Sequence, residues 1–337
     1  MNIGKLPHHL LESLLAKVPL DERVVVGPGI GIDAAVIEFG DRLLVAKTDP
    51  ITFATDLIGW YAVNVNANDI AAMGADPKWF MASILVPEKT TEAEVEQIFD
   101  QMLSACRELD VALVGGHTEI TYDISRPIVV GCMLGETDRS RLVTAKGAGA
   151  GDDILLTKGI AVEGTSLLAR EARDRLVEMG FTEQFLDRAG GFLFDPGISV
   201  VRDARIATSA VSVTAMHDPT EGGLATGLME IAEASGLGLE VRSEAIPILP
   251  ETQTLCRELK LDPLGLIASG SLLITCSPAD TPRLLESFGQ EGILASVIGR
   301  MTPKSHGLKM LTPSGLADLP SIPRDELARF FAEMANG

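Results

Sequence analysis

Five short stretches of this 337-residue sequence set acidic, amide or glycine residues side by side, the combination that phosphate and divalent-cation chemistry uses. They include "GIDAAVI" with Asp33, "AKTDP" with Lys47, Thr48 and Asp49, and "NVNANDIAAMG" with Asn64, Asn66, Asn68 and Asp69. "GGHTEI", with Gly115, Gly116, His117, Thr118 and Glu119, and "MHDPTEGG", with His217, Asp218, Glu221, Gly222 and Gly223, complete the set. Carboxylates gathered from several strand ends supply the hard oxygen ligands Mg²⁺ takes, with substrate phosphate completing the shell. Glycine-rich turns let backbone N–H groups approach phosphate oxygens, and a helix N-terminus favours an anion. Singly, each stretch has a plainer reading. Asp33 and Asp49 suit hairpins, Asn64 and Asn68 share one helical face, His117 suits a capped turn, and Gly115–Gly116 suits a tight turn. "HDPTEGG" resists that treatment, because each glycine in a first helical turn costs about 1 kcal/mol against alanine. A floor open to phosphate or metal would explain the pair.

These residues need elements to hold them. "RVVVGPGIGIDAAVIEF" and "RLLVAKTDPIT", joined by Gly40-Asp41, read as antiparallel strands. "DLIGWYAVNVNANDIAAMG" reads as a helix stopped by Gly74, and "KWFMASILVP" as a strand. The helix "TEAEVEQIFDQMLSACRELD" opens on a capping box, Thr91 to Glu94, and its apolar residues recur at three-four spacing. "VALVGG" and "RPIVVGCMLGE" add two strands before a Gly-Ala seam at Ala145–Asp153. Beyond the seam come a strand ("DILLTK"), one helix ("EGTSLLAREARDRLVEM") and an irregular Gly- and Phe-rich insert. The strand "VSVTAM", the HDPTEGG helix and alternating strands and helices follow. Hairpins mixed with helices make the fold class α+β.

Length supports two domains at about 150 residues each. We divide the chain into residues 1–147 and 148–337. Lys+Arg at 28 against Asp+Glu at 47 leaves a net charge of −19, which repels nucleic-acid backbones and anionic membranes. The four cysteines form no CxxC pair, against structural zinc and a disulfide framework. Without a run of about 18 apolar residues or a signal-peptide pattern, we expect a cytoplasmic protein. "GPGIGID" lacks Rossmann spacing and precedes a strand, and "GIAVEGTS" has Thr165 where a phosphate-loop lysine belongs, so both nucleotide motifs fail.

"IDAAVI", "KTDP", "NANDIAAMGA", "GGHTE", "MHDPTEGGL" and "ASGSLLI" occur in the order found in the aminoimidazole-ribonucleotide (AIR) synthetase superfamily. The resemblance spans nearly the whole chain and is nearest the HypE-like branch. It implies an N-terminal mixed-sheet, half-barrel domain that binds ATP and pairs into a homodimer. A C-terminal α/β sandwich domain would follow. It further implies Mg²⁺ ligands at Asp33, Asp49, Asp69 and Asp218. Nucleotide contacts would come from Asn68, Thr48, Gly115, Gly116, His117, Thr118, Glu119, Gly222 and Gly223. Lys47 and His217 would carry catalytic roles. The implied activity is ATP-dependent phosphorylation of an amide- or carboxylate-type oxygen on a small or protein-bound substrate.

The sequence also departs from that pattern. Ile32 precedes Asp33 where many relatives carry a second aspartate. The chain ends "RFFAEMANG", without the terminal cysteine of HypE proteins, and no N-terminal cysteine of the selenide-dikinase type is present. A small-molecule kinase similar to thiamine-phosphate kinase, and a non-catalytic nucleotide-binding regulator, are therefore the alternatives.

Overall fold

The computed structural model describes residue 6 and residues 8–336, without the side chains of residues 8, 9, 335 and 336. After a short helix, α1 (His8–Leu15), the chain builds two compact units. One comprises Asp21–Gly27 and Asp33–Leu142. The other takes Pro28–Ile32, the chain from Val143 onward and the described residues before Asp21.

The first unit is a six-stranded sheet in the order β1-β2-β3-β6-β4-β5. Its strands are β1 (Val24–Val26), β2 (Ala35–Phe39), β3 (Arg42–Ile51), β4 (Asp76–Pro87), β5 (Ala112–Thr121) and β6 (Ile128–Thr137). The β2–β3 pair forms the hairpin expected around Gly40-Asp41, and only β4 and β5 run parallel. Two helices, α2 (Ile58–Ala72) and α3 (Glu92–Leu109), pack against the sheet. All fifteen residues of α2 are buried, which explains why it shows no polar face in the sequence. Helix α3 has the expected capping box. The Thr91 hydroxyl accepts from Glu94 N–H, and the Glu94 carboxylate accepts from Thr91 N–H.

β6 alternates strictly. Val129, Gly131, Met133, Gly135 and Thr137 are buried on the α2 side, while their neighbours on the other face stay partly exposed. Ile37, Leu44, Met81, Val130 and Leu134 therefore form an apolar sheet face that no helix of this unit covers.

The second unit is built on a seven-stranded sheet in the order β13-β12-β9-β11-β7-β10-β8. In chain order its elements are β7 (Asp153–Thr157), α4 (Val162–Glu171), α5 (Arg173–Glu178), α6 (Glu183–Gly190), α7 (Val201–Ala210), β8 (Val213–His217), α8 (Gly223–Ser235) and β9 (Gly238–Arg242). Then follow α9 (Pro250–Leu259), β10 (Leu273–Cys276), α10 (Thr281–Gln290), β11 (Ala295–Thr302), β12 (Leu308–Thr312), β13 (Gly315–Asp318) and α11 (Glu326–Asn336). Leu224, Leu228, Ile231 and Ala232 of α8 pack on Ile154, Leu156, Ala215, Leu239 and Leu273 of the sheet, forming the core.

Two expectations are corrected here. The helix read over residues 163–179 breaks at Ala172, whose φ of −112° and ψ of 18° leave the helical range before α5 starts. The insert read as irregular is largely helical, supplying α6 and α7. Its helices are too short for apolar spacing to register over the glycines between them.

Candidate functional site

In the first unit the sequence candidates converge on one lysine. Strand alternation turns Lys47 and Asp49 toward α2 and turns Thr48 to the opposite face, where its hydroxyl donates to Gly131 O at 2.7 Å. Asp69 approaches from α2. Lys47 Nζ lies 2.9 Å from Asp69 Oδ1 and 3.3 Å from Asp49 Oδ2, and Asp33 adds its field to theirs. Burial opposes the charge on Lys47, but the three carboxylates outweigh it and hold the ammonium above its usual range. Asp33 and Asp69 are both buried, at 6% and 4% exposure.

Two asparagines of α2 have definite work. Asn66 Oδ1 accepts from Asp49 N–H at 2.8 Å, and its Nδ2 donates to Asp49 O and to Ala62 O. Asn64 donates to Trp60 O one turn back, the local bond expected of its type. Asn68 is fully buried in the same helix.

The stretch Gly115–Glu119 is placed differently from the sequence expectation. It is the middle of β5, not a loop. Gly116 takes φ +153°, and a Cβ there would lie 2.2 Å from Ala82 O, so β4 requires glycine at that point. His117 pairs with Glu119 at 3.3 Å on an exposed edge, and Thr118 sits between them. Three strand spacings, roughly 14 Å, separate β5 from β3 and its lysine.

In the second unit, β8 ends at His217 and the chain turns through Asp218–Gly222 into α8. His217 Nε2 lies 3.0 Å from Glu230 Oε2 of α8, and both side chains are buried. Asp218 beside it is 2% exposed. Both glycines at the start of α8 have left-handed backbones, with φ +82° at Gly222 and +64° at Gly223. A Cβ on Gly223 would lie 2.5 Å from Leu264 O and 2.8 Å from Leu266 O. The structural reason for the pair is thus backbone conformation and close approach. The Gly222 N–H already donates to an anion, Asp325 Oδ2 at 2.6 Å.

Buried acids continue from there. Burial lifts Asp325 to about 6, against the hydrogen bonds it accepts from Gly222 and Leu327. Burial also lifts Glu163, at the start of α4, to about 7, with Asp325 and Glu221 adding like charge and Ser269 opposing. Glu230, Asp325 and Glu163 were not among the sequence candidates. Glu230 had a signal, a carboxylate set with Glu233 inside the otherwise apolar run "GLMEIAEA". Asp325 had none beyond its place before a helix.

Asp33, Asp49 and Asp69 offer hard carboxylate oxygens, which suit Mg²⁺, and their field already holds one cation, the Lys47 ammonium. Among the described residues no helix is long and apolar enough to cross a membrane.

Two α+β units carrying acidic clusters define a known class, and the chain belongs to the family described as AIR synthase related protein. The model of the family's N-terminal domain matches residues 31–137, and that of its C-terminal domain matches residues 149–309. A Methanocaldococcus jannaschii protein whose description assigns it to hydrogenase expression and formation is 29% identical over 95% of this chain and 96% of its own. The carbamoyl dehydratase HypE of Cupriavidus necator is 31% identical over 74% of this chain and 69% of its own. A crystal structure of the hydrogenase maturation protein HypE in complex with ATP superposes with a TM-score of 0.68 at 20% identity, covering 97% of this chain and 98% of that one. The two-domain fold expected from the sequence is therefore the observed one.

Proposed function

We propose that this chain is an ATP- and Mg²⁺-dependent enzyme that phosphorylates an amide- or carboxylate-type oxygen, so that the oxygen can leave as phosphate. The observation that carries the reading is the convergence of Asp33, Asp49 and Asp69 on Lys47. The carbamoyl dehydratase activity for which HypE is named, and the ATP complex of HypE, support the same chemistry. Bound Mg²⁺ would neutralise phosphate charge during transfer. Asp33, Asp49 and Asp69 would hold it, with Asp218 a further candidate.

The chain's own groups divide the remaining work. Lys47, kept charged, would balance the transferring phosphate. Asn66 fixes the backbone of Asp49 and so the direction of its carboxylate. His217, held against Glu230, would move a proton. Asn68 and residues Thr48, Gly115–Glu119, Gly222 and Gly223 are retained as nucleotide-contact candidates. Residues 1–147 form the nucleotide-bearing half of this reading and residues 148–337 its partner.

The same reading includes a homodimer in the cytoplasm, acting on a small or protein-bound substrate. The partly exposed apolar face of the first sheet supports the dimer, as does its edge strand β5, with Val114 and Ile120 exposed at 53% and 65%. Val130→Glu together with Leu134→Glu is expected to halve the mass measured by light scattering.

Calorimetric titration with ATP and a non-hydrolysable analogue, with and without Mg²⁺, tests the core of the reading. Micromolar, Mg²⁺-dependent binding that Asp69→Ala abolishes is expected. No binding under either condition would leave a non-catalytic member of the family.

A further inference from the structure

The start of α8 is held from a distance. Asp325 lies just ahead of α11, more than a hundred residues from Gly222, and is 6% exposed. Its carboxylate oxygens serve two helices and also accept from the Ile267 backbone N–H. Oδ1 accepts from Leu327 N–H at 2.8 Å, the usual N-cap bond of its own helix α11. Oδ2 accepts from Gly222 N–H at 2.6 Å, at the start of α8.

The segment carrying this carboxylate is pinned on both sides. Ile322 packs against Gly265 so closely that a Cβ on the glycine would lie 2.9 Å from it. Glu326 accepts from Asp262 N–H, and Arg329 donates to Lys260 O at 2.8 Å. Leu327, Ala328 and Phe330 bury the inner face of α11. Gly223 N–H of the receiving loop donates to Thr220 O, and Ala268 N–H donates to the same carbonyl. With left-handed glycines at 222 and 223, the loop lacks the side-chain restraint that other residues would give it.

We propose that Asp325 is a positioning residue for the His217–Gly223 loop, and that the segment leading into α11 acts as a strap setting the conformation of that loop. A carboxylate is suited to this because it caps α8 with negative charge, which the N-terminal end of the helix dipole favours. The charged groups that act on it most, Glu163 from α4 and Glu221 from the loop, are both acidic. The inference rests on the reading above, in which His217 and Asp218 belong to the site. It adds that the last helix of the chain governs their placement.

The test uses the full-length protein and two variants, Asp325→Ala and Asp325→Asn. Backbone hydrogen exchange followed by mass spectrometry reports the loop without reference to activity. Asp325→Ala is expected to speed exchange in peptides covering residues 218–225 at least tenfold, leaving β7 and β10 peptides within twofold. Asp325→Asn keeps an oxygen acceptor, so about threefold is expected there. ATP hydrolysis with Mg²⁺ should fall about tenfold in the alanine variant, with KM for ATP within twofold, and the asparagine variant should recover most of the loss. Unchanged loop exchange would overturn the proposal, as would a uniform rise across the unit. If Asp325→Ala does not fold, Asp325→Asn decides alone by its threefold rise confined to the loop. A wild-type protein without ATP turnover would remove the functional reading, while the exchange result would still decide the strap.

Discussion

Asn66 treats Asp49 as a neighbouring strand would: its amide oxygen accepts from Asp49 N–H at 2.8 Å and its amide nitrogen donates to Asp49 O at 3.3 Å. A helical side chain thus supplies a two-bond backbone contact and fixes a candidate metal ligand. Asn66→Ala strands both backbone groups in a largely buried place. A loss of about 2–3 kcal/mol is expected, measured by urea denaturation. The Mg²⁺ requirement for ATP binding should loosen with it.

Lys47→Met removes the cation shared by three carboxylates. Leaving buried charge uncompensated is expected to cost about 3 kcal/mol. Because the freed field suits a divalent cation, millimolar Mg²⁺ should recover more stability in the variant than in the wild type. Thermal unfolding with and without MgCl₂ makes the comparison. Equal responses would remove Asp33, Asp49 and Asp69 from the metal.

Glu163 ties stability to pH. Folding raises its carboxyl from the ordinary 4.5 to about 7, chiefly by burial. Between those values the folded protein keeps a proton that the unfolded chain has lost. The associated stability is therefore complete below pH 4.5 and is lost as pH climbs to 7, on the order of 3 kcal/mol in all. Glu163→Gln lacks this dependence. The stability difference, wild type minus variant, should fall across that window and level off above it in a series of denaturant titrations.

The glycine pair offers a contrast in cause. Gly223→Ala meets backbone oxygens that cannot retreat, and a loss of at least about 2 kcal/mol is expected. Gly222→Ala meets the Thr226 side chain, whose Oγ1 would lie 2.2 Å from the new Cβ. Thr226→Ala should therefore restore part of the stability lost at 222 and none of that lost at 223. A double-mutant comparison of melting temperatures checks this.

Local grammar was the legible part of the chain. Thr91 and Glu94 announce α3 because a capping box is spelled within four residues, and Gly40-Asp41 announces its hairpin for the same reason. Asp33, Lys47, Asp49 and Asp69 group together because they recur beside turns and glycines and in the order of a known family, although Asp33 and Asp49 taken singly read as hairpin residues. What escaped depends on distance or on the pleat. Gly115–Gly116 looks like a turn, yet its second glycine answers to Ala82 across the β4–β5 pair. Thr48 adjoins two candidates in sequence and faces away from both. Asp325 finds Gly222 only after the second unit has folded, and no spacing rule reaches that far.

The partly exposed apolar face of the first sheet bears on stability as well. If two copies close on that face, folding and association share one equilibrium, and dilution withdraws stability that no internal contact replaces. Melting temperature would then rise with protein concentration, by mass action alone. Val130 and Leu134 would belong as much to the cell's supply of this chain as to its fold.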